Sequence, residues 1–218
     1  AKLRYGAKNV VLMRPSLPLA CFDLAFIPQH DRPAKHPKVV ETQGAINRMQ
    51  PGEKIPGSAM ILVGGPSKHV KWNSENVLKH VQRILDVNPS VHINIITSRR
   101  TPQKLVEDLS VLTELSNSKM TTPDQVDLAW LPNTLAVTFR VWVTSDSVSM
   151  VYEALTANCS VSLIDIPFND KSRIKIGIDH LVNQALLDMS PAYIRESYGL
   201  VALSEANNGA KTILARLV

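Results

Sequence analysis

The amino-acid sequence predicts an α/β protein built on doubly wound parallel sheets. Apolar runs of strand length alternate with stretches whose apolar residues recur at helical spacing, which is the order expected of a parallel sheet flanked by helices. Of the 218 residues 44% are hydrophobic and only 5% aromatic, so the core should consist mainly of Leu, Ile, Val and Ala. This composition favours an α/β sheet over a β-sandwich.

The first 57 residues differ from the rest of the chain. Three short apolar runs, at residues 10–13, 24–27 and 39–42, are predicted to be buried strands. Prolines are dense around these runs and leave little room for long helices. We interpret residues 1–57 as part of an amino-terminal Rossmann-like domain, with the turn-rich segment 51–57 as the linker that ends it.

A regular alternation of strands and helices begins after the linker. The predicted strands are residues 59–63, 91–96, 141–143 and 161–166. The predicted helices run from a cap at Asn73 or Ser74 to Asp86, from Thr101-Pro102 onwards, and over 147–157, 174–187 and 206–217. We assign residues 58–218 to a second Rossmann-like domain, whose final helix can pack back on the first domain.

Charge and cysteine content limit the classes of partner. The net charge of +5 favours anionic ligands, but the basic residues are scattered apart from Arg99-Arg100, so nucleic-acid binding is not predicted. Cys21 and Cys159 stand alone and fit neither a disulfide framework nor a metal site, which is typical of the reducing cytoplasm. No run approaches the length of a membrane span, so no transmembrane segment is predicted and peripheral membrane contact stays open.

A glycine-rich loop follows the first strand of the second domain. Ligands of parallel sheets bind beyond the carboxyl ends of the strands, and Gly64 and Gly65 lie at such an end. Glycine lets the backbone approach a ligand, and backbone N–H groups there can hold a phosphate. Ser67 adds a hydroxyl and Lys68 a positive charge. The alternative interpretation is a tight turn followed by a solvated lysine.

An arginine pair follows the next strand. Arg99 and Arg100 come just before a predicted helix, where the helix dipole favours negative side chains. This locally unfavourable arrangement is explained if an anion binds among them, because the arginine fork matches phosphate oxygens. The alternative is a pair of solvated surface arginines.

The start of the helix predicted at 147–157 is a third candidate. Asp146 or Ser147 can cap this helix, and its free N–H groups could bind an anion. Glu153, about two turns in, could accept both hydroxyls of a ribose. A carboxylate aimed at a diphosphate would repel it, so we expect Asp146 to face backbone amides. The alternative is a capped amphipathic helix with a surface glutamate.

These loops carry a family resemblance. Residues 61–69 (ILVGGPSKH), 97–102 (TSRRTP) and 142–157 (WVTSDSVSMVYEALTA) resemble the mitochondrial-fission-factor family, which is grouped with nucleotide-diphospho-sugar glycosyltransferases of bacteria and plants. Shorter segments at 14–18, 22–24, 28–31 and 42–45 extend the resemblance over nearly the whole chain. Family members carry more sequence before the point matching Ala1, so we expect the amino-terminal domain to be incomplete. The family's usual glycine after the third helix is Asn158 here, which also tolerates a left-handed conformation.

The resemblance implies a GT-B-like fold of two Rossmann-type domains, with the second holding a nucleotide sugar. The order of loops is also similar to the donor half of the GT-B transferase that adds GlcNAc in peptidoglycan synthesis. The implied donor-binding residues are Gly64, Gly65, Ser67, Lys68, Ser98, Arg99, Arg100, Thr144, Ser147, Val148, Ser149 and Glu153.

The implied activity is a metal-independent glycosyltransferase that needs no cofactor beyond its nucleoside-diphosphate sugar. The acceptor is unknown, and His30 and Asp31 are the candidates for a general base in the first domain, although an ordinary loop histidine beside a capping aspartate is the simpler interpretation. Two other hypotheses stay open. One is a non-catalytic scaffold that recruits partners, which the link of plant relatives to mitochondrial division would fit. The other is a sugar-nucleotide epimerase or hydrolase.

Overall fold

A computed structural model describes residues 6–169, 172–187, 189 and 203–217 of the chain. It contains two parallel sheets and flanking helices, which confirms the predicted α/β class with two parallel-sheet domains. The chain divides into one compact unit within Ala1–Arg48 and Leu203–Val218, and a second within Met49–Ala202. The predicted domain boundary at residue 57 stays a prediction.

Eight strands and six α-helices lie in the described residues. The strands are β1 (Val10–Leu12), β2 (Leu24–Pro28), β3 (Val39–Thr42), β4 (Ile55–Val63), β5 (Ile93–Thr97), β6 (Ser118–Thr121), β7 (Thr138–Thr144) and β8 (Ser160–Ile164). The helices are α1 (Ser74–Val87), α2 (Gln103–Glu114), α3 (Trp130–Val137), α4 (Val148–Thr156), α5 (Arg173–Asn183) and α6 (Glu205–Leu217).

The smaller unit is a three-stranded parallel sheet of order β1-β2-β3. All five residues of β2 are buried, as expected of the central strand of such a sheet. Helix α6 belongs to this unit, and Gly209 lets it approach closely. A Cβ at that position would lie 3.3 Å from the Ile46 side chain and 3.5 Å from the Phe26 ring.

The larger unit is a five-stranded parallel sheet of order β6-β5-β4-β7-β8. The chain builds outward from β4 through β5 to β6, and then returns to place β7 on the other side of β4. The order of strands therefore reverses between β4 and β7. Such a reversal opens a crevice at the carboxyl ends of the two strands, which is where ligands of open α/β sheets bind.

The core of this unit lies between the sheet and helices α1 and α2. Alternate residues of β4, Ala59, Ile61 and Val63, face these helices together with Trp142 of β7. The apolar face of α1 is buried as its spacing predicts, and Asn73 caps the helix by accepting a hydrogen bond from Asn76 N at 2.9 Å. Pro102 occupies the cap position of α2, so the helix begins at Gln103, one residue after the predicted first helical position.

Two elements escape prediction from sequence. Strand β6 is an edge strand with the polar sequence SKMT and carries no apolar run. Helix α3 contains Pro132, which reads as a helix breaker. Because Pro132 is the third residue of the helix, however, its missing N–H would have no intrahelical acceptor, so the helix tolerates it. Strand β4 also begins at Ile55, four residues before the predicted start.

Candidate functional site

The three predicted loops meet at the crevice between β4 and β7. Gly64 follows β4 directly, and its N–H donates to Thr144 Oγ1 at the end of β7, at 2.7 Å. Thr101, in the loop after β5, donates from Oγ1 to the Gly64 carbonyl at 2.6 Å. Thr144 also donates to the Leu62 carbonyl at 3.4 Å. The ends of three strands are thus tied together by side-chain hydroxyls.

Asp146 is the buried centre of this crevice. It is only 3% exposed, and its Oδ2 accepts a hydrogen bond from Gly65 N at 3.0 Å. This contact confirms the prediction that Asp146 faces backbone amides. Oδ2 also forms an ion pair with Arg100 Nη2 at 2.8 Å. A carboxylate that is buried beside a glycine loop is thereby neutralised within the protein.

Arg100 folds back onto the glycine loop. Its Nη1 donates to the carbonyl oxygens of Gly65 at 2.9 Å and Pro66 at 3.3 Å, while Nη2 holds Asp146. The neighbouring Arg99 is exposed, as is Lys68 on the glycine loop. The two arginines of the predicted anion site therefore differ, because Arg100, although partly exposed, is bonded to the glycine loop and to Asp146.

The glycines are required by this packing. A Cβ on Gly64 would overlap the Asp146 carboxylate, and a Cβ on Gly65 would overlap the backbone carbonyl of Arg100. In this structure the N–H groups of both glycines donate to side chains, that of Gly64 to Thr144 at the end of β7 and that of Gly65 to Asp146 in the loop after it. Their observed role is close packing within the protein, and the predicted donor binding by these two residues stays a prediction.

Short polar side chains hold the remaining loops in place. Ser98 Oγ accepts from Arg100 N at 3.2 Å, and Ser98 N donates to Thr101 Oγ1 at 2.8 Å. Ser67 Oγ accepts from His69 N at 3.3 Å. These hydrogen bonds fix the turns that precede α2 and α1 without involving a ligand.

Helix α4 begins at the crevice. Ser147 is its N-cap and makes no side-chain cap hydrogen bond, so the first-turn N–H groups are not satisfied by that side chain. Ser147 is buried, Val148 is half-buried and Ser149 is exposed. Glu153 lies half-buried in the second turn of the same helix. The positive end of the helix dipole thus points toward the carboxyl edge of the sheet.

A fourth loop, which the sequence does not predict, closes on the glycine loop. Lys71 N donates to Pro167 O at 2.7 Å, and Asn169 N donates to His69 O at 2.9 Å. The Asn169 side chain also donates to the Lys68 carbonyl at 2.8 Å. The segment carrying Lys68 is therefore pinned to the residues that follow β8. No local pattern signals this contact, because it joins residues about one hundred positions apart.

The predicted general-base candidates lie in the smaller unit. His30 and Asp31 form a 3-10 helix, Gln29–Asp31, directly after β2. Arg14 Nη1 donates to the Asp31 carbonyl at 3.3 Å. Arg32 ends this turn with a φ of 49°, in the left-handed region. The structure thus places both residues at the carboxyl end of a central strand, as the sequence predicts.

The described part of the chain contains neither a candidate metal site nor a candidate membrane span. No cluster of three or more His, Cys, Asp or Glu side chains is arranged to hold a metal ion there. No helix of the same residues is long and apolar enough to cross a bilayer.

Comparison with known proteins gives one family match. A family model described as Mitochondrial fission ELM1 matches residues 1–217. No curated protein matches the chain. Among solved structures, MurG of Acinetobacter baumannii is 16% identical over 88% of this chain and 52% of its own, with a TM-score of 0.47. The pneumococcal O-GlcNAc transferase GtfA, solved with UDP and GlcNAc, is 11% identical over 89% and 37%, with a TM-score of 0.41. The chain thus spans about half the length of MurG and a smaller share of GtfA.

Proposed function

The chain belongs to the mitochondrial fission ELM1 family, and from this premise we propose that its five-stranded unit binds a nucleoside-diphosphate sugar and that the protein is a glycosyltransferase. The observation that carries the proposal is the start of α4 in the crevice between β4 and β7. There a helix N-terminus without a side-chain cap lies beside the glycine loop. Such a terminus is a binding site for a diphosphate.

Surface charge at the same edge supports the proposal. Lys68 and Arg99 are exposed on the loops after β4 and β5 and can reach an anion, whereas Arg100 is engaged with Asp146. Together with the α4 dipole, these two cations would stabilise the negative charge that develops on a leaving nucleoside diphosphate, without requiring a metal ion. Ser149 would donate to a phosphate oxygen, and Glu153 would accept the ribose hydroxyls.

The acceptor side of the reaction is assigned to the smaller unit. A glycosyl transfer without a covalent intermediate needs a base that takes the proton of the acceptor hydroxyl. His30 and Asp31 follow β2 directly and are the residues we propose for this step. Transfer would then release the nucleoside diphosphate from the five-stranded unit.

A second candidate function is a non-catalytic scaffold that retains the fold. It is favoured by one observation, which is that the N–H groups of both glycines are hydrogen-bonded to side chains of the protein. Gly64 N donates to Thr144 Oγ1, and Asp146 Oδ2 accepts hydrogen bonds from Gly65 N and from Arg100 Nη2. A scaffold of this kind would have no affinity for nucleotides, so the two functions make opposite predictions for a binding measurement.

The test is thermal unfolding of the full chain in the presence of nucleoside diphosphates. A ligand at one hundred times its Kd stabilises the folded state by about 2.7 kcal/mol, which is readily measured. Arg99→Ala and Glu153→Gln should each weaken binding by about tenfold or more, because each loses a charge-assisted hydrogen bond. The control is Arg83→Ala, which removes an exposed arginine of α1 and changes the net charge equally.

The outcomes separate the two functions. A stabilisation that Arg99→Ala and Glu153→Gln reduce and Arg83→Ala retains supports donor binding. Release of sugar from the corresponding nucleotide sugar, reduced by His30→Gln, would then support a catalytic function over a scaffold. No stabilisation by any diphosphate would overturn the proposed donor site and favour the scaffold.

A further inference from the structure

A second cavity lies beside Arg99, at the carboxyl ends of β5 and β6. Its volume is about 410 Å³, within the range of small-molecule sites and too large for a single phosphate. Thr97, the last residue of β5, and Arg99 line one side, while Pro123 and Asp124, after β6, line the other. Because the predicted anion loop forms one of its walls, a ligand bound at the crevice can extend into this cavity.

A buried hydroxyl without a partner belongs to Thr97, one of the residues that line this cavity. Thr97 is 2% exposed, and within the described residues its Oγ1 has no hydrogen-bond partner. A buried polar group that stays unsatisfied costs about 1–3 kcal/mol, so native proteins seldom keep one without a reason. A ligand atom that accepts or donates a hydrogen bond at Thr97 would remove this cost.

The other walls combine apolar surface with one carboxylate. Val106 of α2 and Pro123 supply apolar contact, as needed against the faces of a flat ring. Asp124 lies exposed at the rim. A hydrogen bond from the Thr122 side chain lowers the pKa of Asp124, so that side chain is ionised at neutral pH and only accepts hydrogen bonds.

We propose that this cavity binds the nucleobase of the donor nucleotide and that Asp124 selects guanine. The inference rests on the proposed function, since the base is attached to the diphosphate placed at the α4 start. Guanine carries two adjacent N–H donors, on N1 and on the 2-amino group, which match the two oxygens of a carboxylate. Its O6 and N7 acceptors remain for the Thr97 hydroxyl and the Arg99 guanidinium.

The other common bases fit this set of groups less well. Uracil presents a single N–H flanked by two carbonyl oxygens, which would face the second carboxylate oxygen of Asp124. Adenine and cytosine each offer one exocyclic amine beside a ring acceptor, so one carboxylate oxygen would again meet an acceptor. A second phosphate is disfavoured because Asp124 would repel it.

The experiment measures the Kd of the full chain for GDP, ADP, CDP, UDP and inorganic pyrophosphate by titration calorimetry. We expect GDP to bind at least about tenfold more tightly than the other nucleotides. Asp124→Asn should remove this preference and gain affinity for xanthosine 5′-diphosphate, whose 2-oxo group accepts from the asparagine amide. Asp86→Asn, an exposed acid on α1, is the charge-matched control and should leave all five affinities unchanged.

A second variant tests the buried hydroxyl. Thr97→Val is nearly isosteric, and we expect it to weaken GDP binding severalfold, to leave pyrophosphate binding intact, and to raise the unfolding midpoint of the free protein because an unsatisfied buried hydroxyl is removed. Equal affinities for the four nucleotides, or a GDP preference that survives Asp124→Asn, would overturn the base site and leave the proposed function standing. Absence of binding by every diphosphate, pyrophosphate included, would overturn both.

Discussion

Arg100 and Asp146 form an ion pair with an Nη2–Oδ2 distance of 2.8 Å, although they lie 46 positions apart. The Asp146 side chain is fully buried and that of Arg100 is 43% exposed. Because the pair spans Gly65, it joins the loop after β5 to the loop after β7 over the glycine loop. Arg100 therefore holds the loops of the crevice together, and the proposed donor site relies on the exposed cations of Arg99 and Lys68.

Removal of the arginine should destabilise the protein. Arg100→Ala leaves the buried Asp146 carboxylate with a hydrogen bond from Gly65 N but without its cationic partner, and unpaired buried charges are costly. We expect the free energy of unfolding to fall by about 2–3 kcal/mol, below the usual loss for a fully buried pair because Arg100 is partly exposed. Arg99→Ala is the control and should change it by less than about 0.5 kcal/mol. If Arg100→Ala and Arg99→Ala lowered the free energy of unfolding equally in urea, the ion pair with Asp146 would not stabilise the crevice.

The two glycines of the loop should respond differently from a glycine elsewhere. Gly65→Ala would force a Cβ into the Arg100 backbone, which cannot move as a side chain can, so we expect little folded protein. Gly64→Ala meets the Asp146 side chain and should cost less. A Cβ on Gly57 would meet no neighbouring atom within 4 Å. Gly57→Ala is therefore strained only by the backbone φ of 76°, and we expect it to lower the free energy of unfolding by about 1–2 kcal/mol. The yield of soluble protein and its circular dichroism rank the three variants by the amount of folded protein. A milder effect for Gly65→Ala than for Gly57→Ala would contradict the close packing of Gly65 against the Arg100 backbone.

Much of the fold follows from patterns in the sequence. Strands β3 and β2 and helices α1 and α4 lie within one or two residues of their predicted bounds, because each combines an apolar run or face with a clear cap or turn. The left-handed residue after α4 is Asn158, with a φ of 64°, as the family comparison implies. Strand β6 could not be predicted, since its order comes from pairing with β5 rather than from its own residues.

The candidate site was predictable in location and in the contact of Asp146 with a backbone amide, but not in its other internal contacts. Strand ends in a parallel sheet meet at one edge, so the loops at Gly64, Ser98 and Thr144 could be placed together from sequence. Which side chains bind one another there depends on the packed geometry. Nothing local distinguishes Arg100, which turns inward, from Arg99, which stays exposed. The contact between Asn169 and the Lys68 carbonyl is likewise set by tertiary structure alone.

Lys54 should prove more important than its position in a predicted linker suggests. Its Nζ donates to the carbonyl oxygens of Leu135 and Ala136 at 2.9 Å and of Ala157 at 2.6 Å. It thereby caps the carboxyl ends of α3 and α4, where a cation is favourable. We expect Lys54→Ala to lower the free energy of unfolding by about 2–4 kcal/mol, since three partly buried carbonyls lose their donor.

The effect of Lys54→Ala should be partly reversed by a small alkylammonium ion. n-Propylammonium can place its charge among the three carbonyls, whereas n-propanol carries no charge and is the solvent control. Lys79→Ala, which removes an exposed lysine paired with Glu75, should cost less than about 0.5 kcal/mol. Equal recovery with the alcohol, or none with the ammonium ion, would argue against a charge-dependent cap.

Cys159 should make the stability of the protein fall at alkaline pH. Burial raises the pKa of the Cys159 thiol from an ordinary 9.0 to about 11. Between pH 9 and 11 the unfolded chain therefore loses this proton before the folded chain does, so the unfolded state binds fewer protons and stability decreases as the pH rises. The full two-unit difference corresponds to about 2–3 kcal/mol.

Lys54 contributes to the pH dependence of stability with the opposite sign, so a matched variant is needed to separate the two groups. Burial lowers the pKa of Lys54, so the folded state releases this proton first and stability rises with pH over the window just below the ordinary lysine pKa. The difference between the native chain and Cys159→Ala contains the titration of the thiol together with its interaction with Lys54, whose Nζ lies 3.6 Å from Cys159 Sγ. In urea unfolding, the stability of the native chain relative to Cys159→Ala should fall by about 2 kcal/mol from pH 8.5 to pH 11. Cys21→Ala, at an exposed cysteine, should show the same change of unfolding free energy with pH as the native chain, because Cys159 remains in place. If Cys159→Ala showed the native slope as well, the buried thiol would not be the titrating group.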